Sequence, residues 1–151
     1  MTTKYISIII PTRNRSSYLV AAVESIYQNN YPNHQFEILI IDNGSTDDTV
    51  VVCDTLTKKF SNLKYFFEEQ NGLHFGRHKG LLHAKGEILI FIDDDVIVTE
   101  SWLKTYQDVF ALDSKIVLAG GNNLPLFEGE IPAWVDTLWQ HRWQGKFLSE
   151  Y

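Results

Sequence analysis

Three consecutive carboxylates, Asp93, Asp94 and Asp95, directly follow the apolar run of residues 87–92. Such a run is typical of a strand buried on both faces, so the triplet is expected where the strand leaves the sheet. Two carboxylates about 5 Å apart repel by roughly 3 kcal/mol at an effective dielectric constant of ~20. Oxygen ligands select hard divalent ions, so the triplet indicates a Mg²⁺ or Mn²⁺ site. The alternative is a solvated acidic turn that caps the next helix.

Two more polar loops follow predicted strands. Residues 11–15, Pro-Thr-Arg-Asn-Arg, come after the apolar run 5–10, and residues 42–47, Asp-Asn-Gly-Ser-Thr-Asp, come after the run 36–41. In a parallel α/β sheet the carboxyl ends of neighbouring strands share one edge, and ligands bind at that edge. We therefore expect these loops and the acidic triplet to meet and form one site.

The elements that would position these loops alternate between strand-like and helix-like patterns at short spacing, which predicts βαβ units. The fold class expected is α/β, with a Rossmann-like, mostly parallel sheet between two layers of helices. The predicted strands are residues 5–10, 36–41, 63–67, 87–92 and 115–120. The third strand is the shortest of the first three and is expected nearer an edge of the sheet.

Helices are predicted from apolar residues at helical spacing and from capping residues. The first begins at Ser16, and its buried stripe is Leu19, Ala22, Val23 and Ile26. Ser45 followed by Asp48 is a capping-box pattern that predicts the start of the second. The third is predicted over residues 73–85, and Thr99 is expected to cap the fourth.

The composition is that of an ordinary globular domain, with 151 residues, 44% hydrophobic residues and a net charge of −6. The negative charge argues against a nucleic-acid partner, which selects basic surfaces, although it is compatible with binding a single nucleotide. The lone Cys53 excludes an internal disulfide and a cysteine-based zinc site, and it is expected to be buried. No segment reads as a signal peptide or a membrane span, so a cytoplasmic location is expected.

Taken together, the chain resembles glycosyltransferase family 2, whose members have the GT-A fold. Four segments carry the resemblance, in matching order and spacing between residue 6 and about residue 121: residues 6–15, 40–49, 71–80 and 90–95. An isolated Asp-X-Asp pattern is common by chance, whereas four motifs in register are specific. The resemblance implies that residues 1–121 form a nucleotide-sugar-binding half and that 122–151 begin an acceptor region, within a single domain truncated at its carboxyl end.

The resemblance also implies roles for residues after the first three strands. Pro11 and Thr12 would line the pocket for the base and diphosphate of the donor, with Arg13 and Arg15 as nearby candidates. Asp42 would accept a hydrogen bond from the imide of uracil, because an ionised carboxylate only accepts. The alternative for Asp42 is a turn or cap residue.

Arg77 would reach the nucleotide with its bidentate donors. The neighbouring Gly76 and His78 replace an alanine and an asparagine that are common in the family, which leaves the nucleotide preference open.

Within the triplet, the resemblance implies that Asp94 holds the ribose hydroxyls and Asp95 ligates the Mn²⁺ or Mg²⁺ ion that bridges the diphosphate. Strand alternation instead places Asp93 and Asp95 on one side and Asp94 on the other. Both interpretations agree on Asp95. Asp93 is left as a secondary ligand through water or as a buried partner, and it is counted among the residues that bind the nucleotide sugar.

The activity implied is inverting, metal-dependent transfer of a sugar, with UDP-sugar the favoured donor. The acceptor could be a saccharide, a lipid-linked sugar or a protein. No catalytic base is found, since none of the downstream carboxylates stands in the expected setting: Glu128, Glu130, Asp136 and Glu150. The alternatives are a non-catalytic nucleotide-binding or interaction module and, less favoured, a nucleotidyltransferase.

A tryptophan-rich segment follows the last predicted strand. Trp139 and Trp143 have the spacing of one helix face, and Trp134 precedes them. These side chains are expected to pack on the domain. Stacking on sugars, peripheral membrane association and self-association remain open.

Overall fold

The computed structural model describes residues 3–127, 129–130, 132–135, 142–143 and 146–147. The chain divides into two compact units, Met1–Ser114 and Lys115–Tyr151. The first unit contains every polar loop that the sequence predicts to form the site.

The first unit is built on a four-stranded sheet in the order β3-β2-β1-β4. Its strands are β1 (Ile6–Thr12), β2 (Phe36–Asp42), β3 (Leu63–Phe67) and β4 (Ile88–Phe91). All three pairings are parallel, which confirms the predicted sheet and places all carboxyl ends at one edge. β1 and β2 both continue past their predicted ends, so that Thr12 pairs with Asp42 at the end of the ladder.

Helices lie on both faces of this sheet, as the predicted three-layer architecture requires. They are α1 (Ser16–Tyr27), α2 (Thr49–Lys59), α3 (Leu73–His83) and α4 (Trp102–Leu112), with a short 3₁₀ turn at Asn33–Gln35. The predicted stripe of α1 is fully buried: Leu19, Ala22, Val23 and Ile26. Cys53 is also buried, and burial raises the pKa of its thiol to about 12.

Alternation along the strands separates the two layers of the core. In β1, Ile6, Ile8 and Ile10 join the large cluster shared with α1, α2 and α4. Ile9 faces the other way, where Gly80 of α3 comes so close that a Cβ there would overlap the Ile9 side chain. α3 therefore covers one face of the sheet, and the other three helices cover the opposite face.

The prediction that the fourth strand is buried on both faces is wrong. In β4, Ile88 and Ile90 are buried, whereas Leu89 is 36% and Phe91 43% exposed. β4 is the edge strand of the described sheet and pairs only with β1 there. Among the described residues the second face of β4 is only partly covered, so the strand shows an alternation that its uniformly apolar sequence does not.

Three further local predictions are corrected by the structure. α2 is preceded by Asp48 without a side-chain cap, so the Ser45 capping box does not form. Ser101 rather than Thr99 occupies the cap position of α4. Residues 115–120 contain no strand, although they are described throughout.

In the second unit, Trp143 lies in the two-residue strand β5 (Arg142–Trp143), which pairs antiparallel with β6 (Lys146–Phe147). It therefore does not share a helix with Trp139, which lies outside the described residues, as do Glu128, Asp136 and Glu150. Trp134 lies in a short helical segment and is exposed. No helix among the described residues has the length and apolarity needed to cross a bilayer.

A buried polar network closes the amino-terminal edge of the sheet, opposite the predicted site. Glu37 accepts hydrogen bonds from Ser7 (2.8 Å), Lys64 (2.7 Å) and the backbone N–H of Lys85 (2.8 Å). Burial alone would raise the pKa of Glu37, but these hydrogen bonds and the Lys64 charge hold it below its ordinary value. The network fastens the connection between α3 and β4 to the sheet.

Candidate functional site

The loops after β1 and β2 are joined by direct hydrogen bonds. The backbone N–H of Asn14 donates to Ser45 Oγ (2.9 Å), and Asn14 Oδ1 accepts from the backbone N–H of Thr46 (2.7 Å). Asn14 has a φ of +53°, a left-handed conformation that asparagine tolerates better than most residues. The Ser45 hydroxyl, predicted as a helix cap, serves instead to hold these two loops together.

The acidic triplet lies at the same edge and is tied to β1 through Thr12. Thr12 Oγ1 donates to Asp94 Oδ2 at 2.6 Å, across 82 positions of sequence. Asp94 is 5% exposed, and its burial raises the pKa of the carboxyl, while Thr12 and Arg15 act in the opposite direction. The Asp94 carboxyl is therefore fixed in position by Thr12 and Arg15.

Two arginines form ion pairs with the triplet and offset two of its three formal negative charges. Arg15 Nε lies 3.1 Å from Asp94 Oδ1, and its Nη2 lies 2.6 Å from Asp95 Oδ2. Arg77 Nη2 lies 3.3 Å from Asp93 Oδ1. Asp93 and Asp95 are exposed while Asp94 is buried, which is the pattern that strand alternation predicts. The alternative of Asp93 as a buried partner is therefore wrong. All three loops and the α3 arginine therefore converge on one edge.

A cavity of about 270 Å³ opens among these groups. Its lining residues come from the three loops and the start of α3: Pro11, Thr12, Arg13, Arg15, Asn43, Gly72, Leu73 and Asp94. The volume is close to the lower end of small-molecule pockets, about 300–1,000 Å³. A second cavity, of about 410 Å³, lies between α3 and β4 and is lined by Arg77, His78, Leu81 and Phe91.

Asp42 does not line either cavity. Its side chain is fully buried, Oδ1 accepts from the backbone N–H of Ser45 (2.8 Å), and Oδ2 accepts from the Tyr65 hydroxyl (2.9 Å). Burial, and then this hydrogen bond, raise the pKa of Tyr65. The geometry matches the turn role that the sequence leaves as an alternative, and a contact between Asp42 and a base stays a prediction.

Asn43, which the sequence analysis does not single out, lines the cavity in place of Asp42. It is 4% exposed, its Oδ1 accepts from the backbone N–H of Gly72 (2.7 Å), and its Nδ2 donates to the Gln70 carbonyl (2.5 Å). These bonds hold the segment before α3 against the end of β2. The sequence indicates this role for Asn43 only through its position. It directly follows Asp42, and the alternation of side chains along a strand turns it to the opposite face of the sheet.

The residues present fit a metal ion that is shared with a ligand. Among the residues that the structure describes, no three histidine, cysteine or acidic side chains form a set that could hold an ion. The Asp95 side chain is 45% exposed at the edge of the site, and its oxygens can supply part of a coordination shell. Mg²⁺ is commonly bound by one or two carboxylates, with phosphate and water oxygens completing the octahedron.

The fold and site together define a parallel α/β domain of the GT-A class, with a polar ligand site at the carboxyl edge of its sheet. A family model for glycosyl transferase family 2 matches residues 7–125. The chain belongs to glycosyltransferase family 2.

Individual relatives agree with this assignment. Glycosyltransferase GlyG of Streptococcus pneumoniae is 32% identical over 126 residues, which are 82% of this chain and 41% of GlyG. The crystal structure of residues 1–349 of Staphylococcus aureus TarS superposes with a TM-score of 0.66 at 28% identity, covering 71% of this chain and 32% of that chain. TarS is a poly(ribitol-phosphate) β-N-acetylglucosaminyltransferase, also solved with UDP and with UDP-GlcNAc. This chain therefore spans less than half the length of these relatives.

Proposed function

We propose that this chain binds the nucleotide-sugar donor of a family 2 glycosyltransferase, and that UDP-sugar is the favoured donor. The observation that carries the proposal is the buried Asp94, held by Thr12 beside a polar cavity at the edge where the three loops meet. The TarS structures with UDP and UDP-GlcNAc, at 29% identity to this chain, support a uridine nucleotide.

Each polar group at this edge has a role in the proposal. Asp94 accepts hydrogen bonds from the ribose hydroxyls, because an ionised carboxylate can only accept. Its side chain is already ordered, so little conformational entropy is lost when the ligand binds. Thr12 and Arg13 line the wall beside the base and diphosphate. Arg77, which is exposed and only loosely paired with Asp93, is positioned to donate to oxygens of the nucleotide.

A Mn²⁺ or Mg²⁺ ion on Asp95 completes the proposed site. When bound, the ion would stabilise negative charge on the departing diphosphate. The protein contributes the position of Asp95 on the connection after β4 and a fixed loop geometry around the cavity. Transfer with inversion would need a base to deprotonate the acceptor hydroxyl, and no described residue is assigned that role.

The acceptor and the cellular location belong to the same proposal. We propose that the acceptor is a saccharide, a lipid-linked sugar or a protein. We also propose that the protein acts in the cytoplasm, including the cytoplasmic surface of the membrane. A module that binds the donor without transferring it is the alternative. Incubation with radiolabelled UDP-sugars and mixed acceptors separates the two, because only the enzyme moves label into a larger product.

Thermal unfolding with UDP and Mn²⁺ tests donor binding. A ligand present at 100 times its Kd stabilises the folded state by about 2.7 kcal/mol, which raises Tm by several degrees in a domain of this size. We expect this shift for the wild type with UDP and Mn²⁺ and a much smaller one for Asp95→Ala. Asp54→Ala, which removes an exposed acid of α2 paired with Lys58, is the matched control and keeps the full shift.

Two other results would count against parts of the proposal. An equal shift in the presence of EDTA would contradict the role of the metal. The absence of any shift with UDP, with or without metal, would contradict donor binding.

A further inference from the structure

Arg15 forms ion pairs with two members of the acidic triplet, and it has no part in the proposed donor binding. Its guanidinium spans two successive carboxylates, with Nε on Asp94 Oδ1 (3.1 Å) and Nη2 on Asp95 Oδ2 (2.6 Å). Arg77, by comparison, contacts only Asp93, at 3.3 Å. A planar guanidinium fork is suited to bridging neighbouring carboxylate oxygens, so this contact is a specific arrangement.

The Arg15 side chain is held from a second direction. Its guanidinium carbon lies 4.8 Å from the centre of the Tyr18 ring, one turn along α1, within the range of a cation–π interaction. The side chain nevertheless remains 42% exposed and lines the cavity. Rotation about its own bonds can therefore release it from Asp95 without any movement of the backbone.

We infer that Arg15 is an internal counter-cation, which occupies the cation position at Asp94 and Asp95 in the donor-free protein and competes there with a divalent metal ion. This inference rests on the proposed function, since it concerns the metal position of the same site. An ion that approaches Asp95 Oδ2 meets an oxygen already bonded to Nη2, and it is repelled by the guanidinium charge. Metal binding is therefore weakened for as long as Arg15 holds Asp95 Oδ2.

Competition of this kind has a functional consequence. Without the donor, the arginines offset part of the negative charge of the acidic edge, and the affinity for free metal ions is low. Metal binding is then favoured when a diphosphate arrives with it, because the diphosphate supplies additional oxygen ligands and a partner for the displaced guanidinium. Arg15 thus makes metal binding dependent on the donor.

The test is a titration of Mn²⁺ in the absence of any nucleotide, in which electron paramagnetic resonance measures the free ion. We expect Arg15→Gln to bind Mn²⁺ more tightly than the wild type by on the order of tenfold, because both the competing bond and the repulsion are lost. Arg15→Lys keeps the charge and is expected to stay within a few-fold of the wild type. Lys58→Gln removes an equal charge on α2, where Lys58 pairs with Asp54, and is expected to leave Mn²⁺ affinity unchanged.

Unchanged or weaker Mn²⁺ binding by folded Arg15→Gln would overturn the inference, and weaker binding would show that Arg15 positions Asp95 for the ion instead. Failure of both proteins to bind millimolar Mn²⁺ would also overturn it. The proposed function is tested separately, by the shift in Tm that UDP produces. Tighter Mn²⁺ binding by Arg15→Gln, with no UDP-induced shift in Tm for any variant, would support the inference and contradict donor binding.

Discussion

Gly86→Ala is expected to lower the free energy of unfolding of the first unit strongly. A Cβ at Gly86 would overlap the backbone nitrogen of Ser7 and would lie 2.8 Å from the Ile6 carbonyl carbon and from the Ile88 carbonyl oxygen. These are backbone atoms of β1 and β4, so no side-chain rotation relieves the overlap. Added atoms in packed sites typically cost about 1–3 kcal/mol, and we expect more than about 3 kcal/mol here because two strands must separate.

The same substitution also disturbs the network at the amino-terminal edge. The backbone N–H of Gly86 donates to Ser7 Oγ at 2.8 Å, and Ser7 in turn donates to the buried Glu37. Small domains are stable by only about 5–15 kcal/mol, so the loss is large enough to detect in a urea denaturation. Gly120→Ala is the matched control, since a Cβ at Gly120 has no atom within 4 Å, and its stability is expected to stay within about 0.5 kcal/mol. A Gly86→Ala protein within about 1 kcal/mol of the wild type would contradict the close approach of the strands.

Asp94→Asn is expected to weaken UDP binding and to leave the protein folded. The amide oxygen can still accept the Thr12 hydrogen bond, whereas the ion pair with Arg15 is lost. The Arg15 side chain is 42% exposed and can turn toward solvent, and the change removes a charge buried beside two other carboxylates. The fold is therefore expected to survive. UDP affinity is expected to fall by more than about tenfold, because hydrogen bonds to a charged acceptor contribute about 1.5–3 kcal/mol and the amide lacks the charge.

Isothermal titration calorimetry with UDP measures the affinity, and urea denaturation measures the stability of the same protein. Asp108→Asn removes an equal charge from an exposed residue of α4 that pairs with Lys104, and it is expected to change neither quantity appreciably. Wild-type UDP affinity in Asp94→Asn would argue that the ribose is not held by this carboxylate. Loss of folding would argue that Asp94 is a structural group.

Much of the fold could be predicted from the sequence because its signals are local. The α1 stripe at helical spacing and the isoleucine-rich strands each determine an element without knowledge of the rest of the chain. The parallel topology then follows from the alternation of elements. Together they predicted that the loops after β1, β2 and β4 share one edge of the sheet, as the structure confirms.

The rest depends on contacts between distant segments. Ser45 has the sequence of a helix cap, but it bonds Asn14, which lies 31 residues earlier and reaches it only because β1 and β2 are neighbours. The Arg15 contact with Asp95 spans 80 positions and has no local signal. Whether Asp42 or Asn43 lines the cavity depends on the register of β2. A shift of one residue would exchange the faces to which the two side chains point.

The exposed face of β4 illustrates a second limit of sequence reasoning. Apolar residues on both faces predict burial on both faces, but burial also needs a packing partner, and the described residues cover Leu89 and Phe91 only in part. The fifth strand, predicted at residues 115–120, fails for a related reason, because a short apolar run becomes a strand only when another strand pairs with it. Neither correction changes the positions of the residues that are proposed to form the site.

We expect a uridine nucleotide to bind at the carboxyl edge of the sheet, among the loops that follow β1, β2 and β4. Titration of the ¹⁵N-labelled full chain with UDP and Mg²⁺, followed by two-dimensional amide NMR, tests it directly. We expect the largest shifts at Thr12, Asn43, Gly72 and Asp94, which line the cavity. Shifts centred on Ser7 and Gly86 at the opposite edge, or no shifts at saturating UDP, would contradict it.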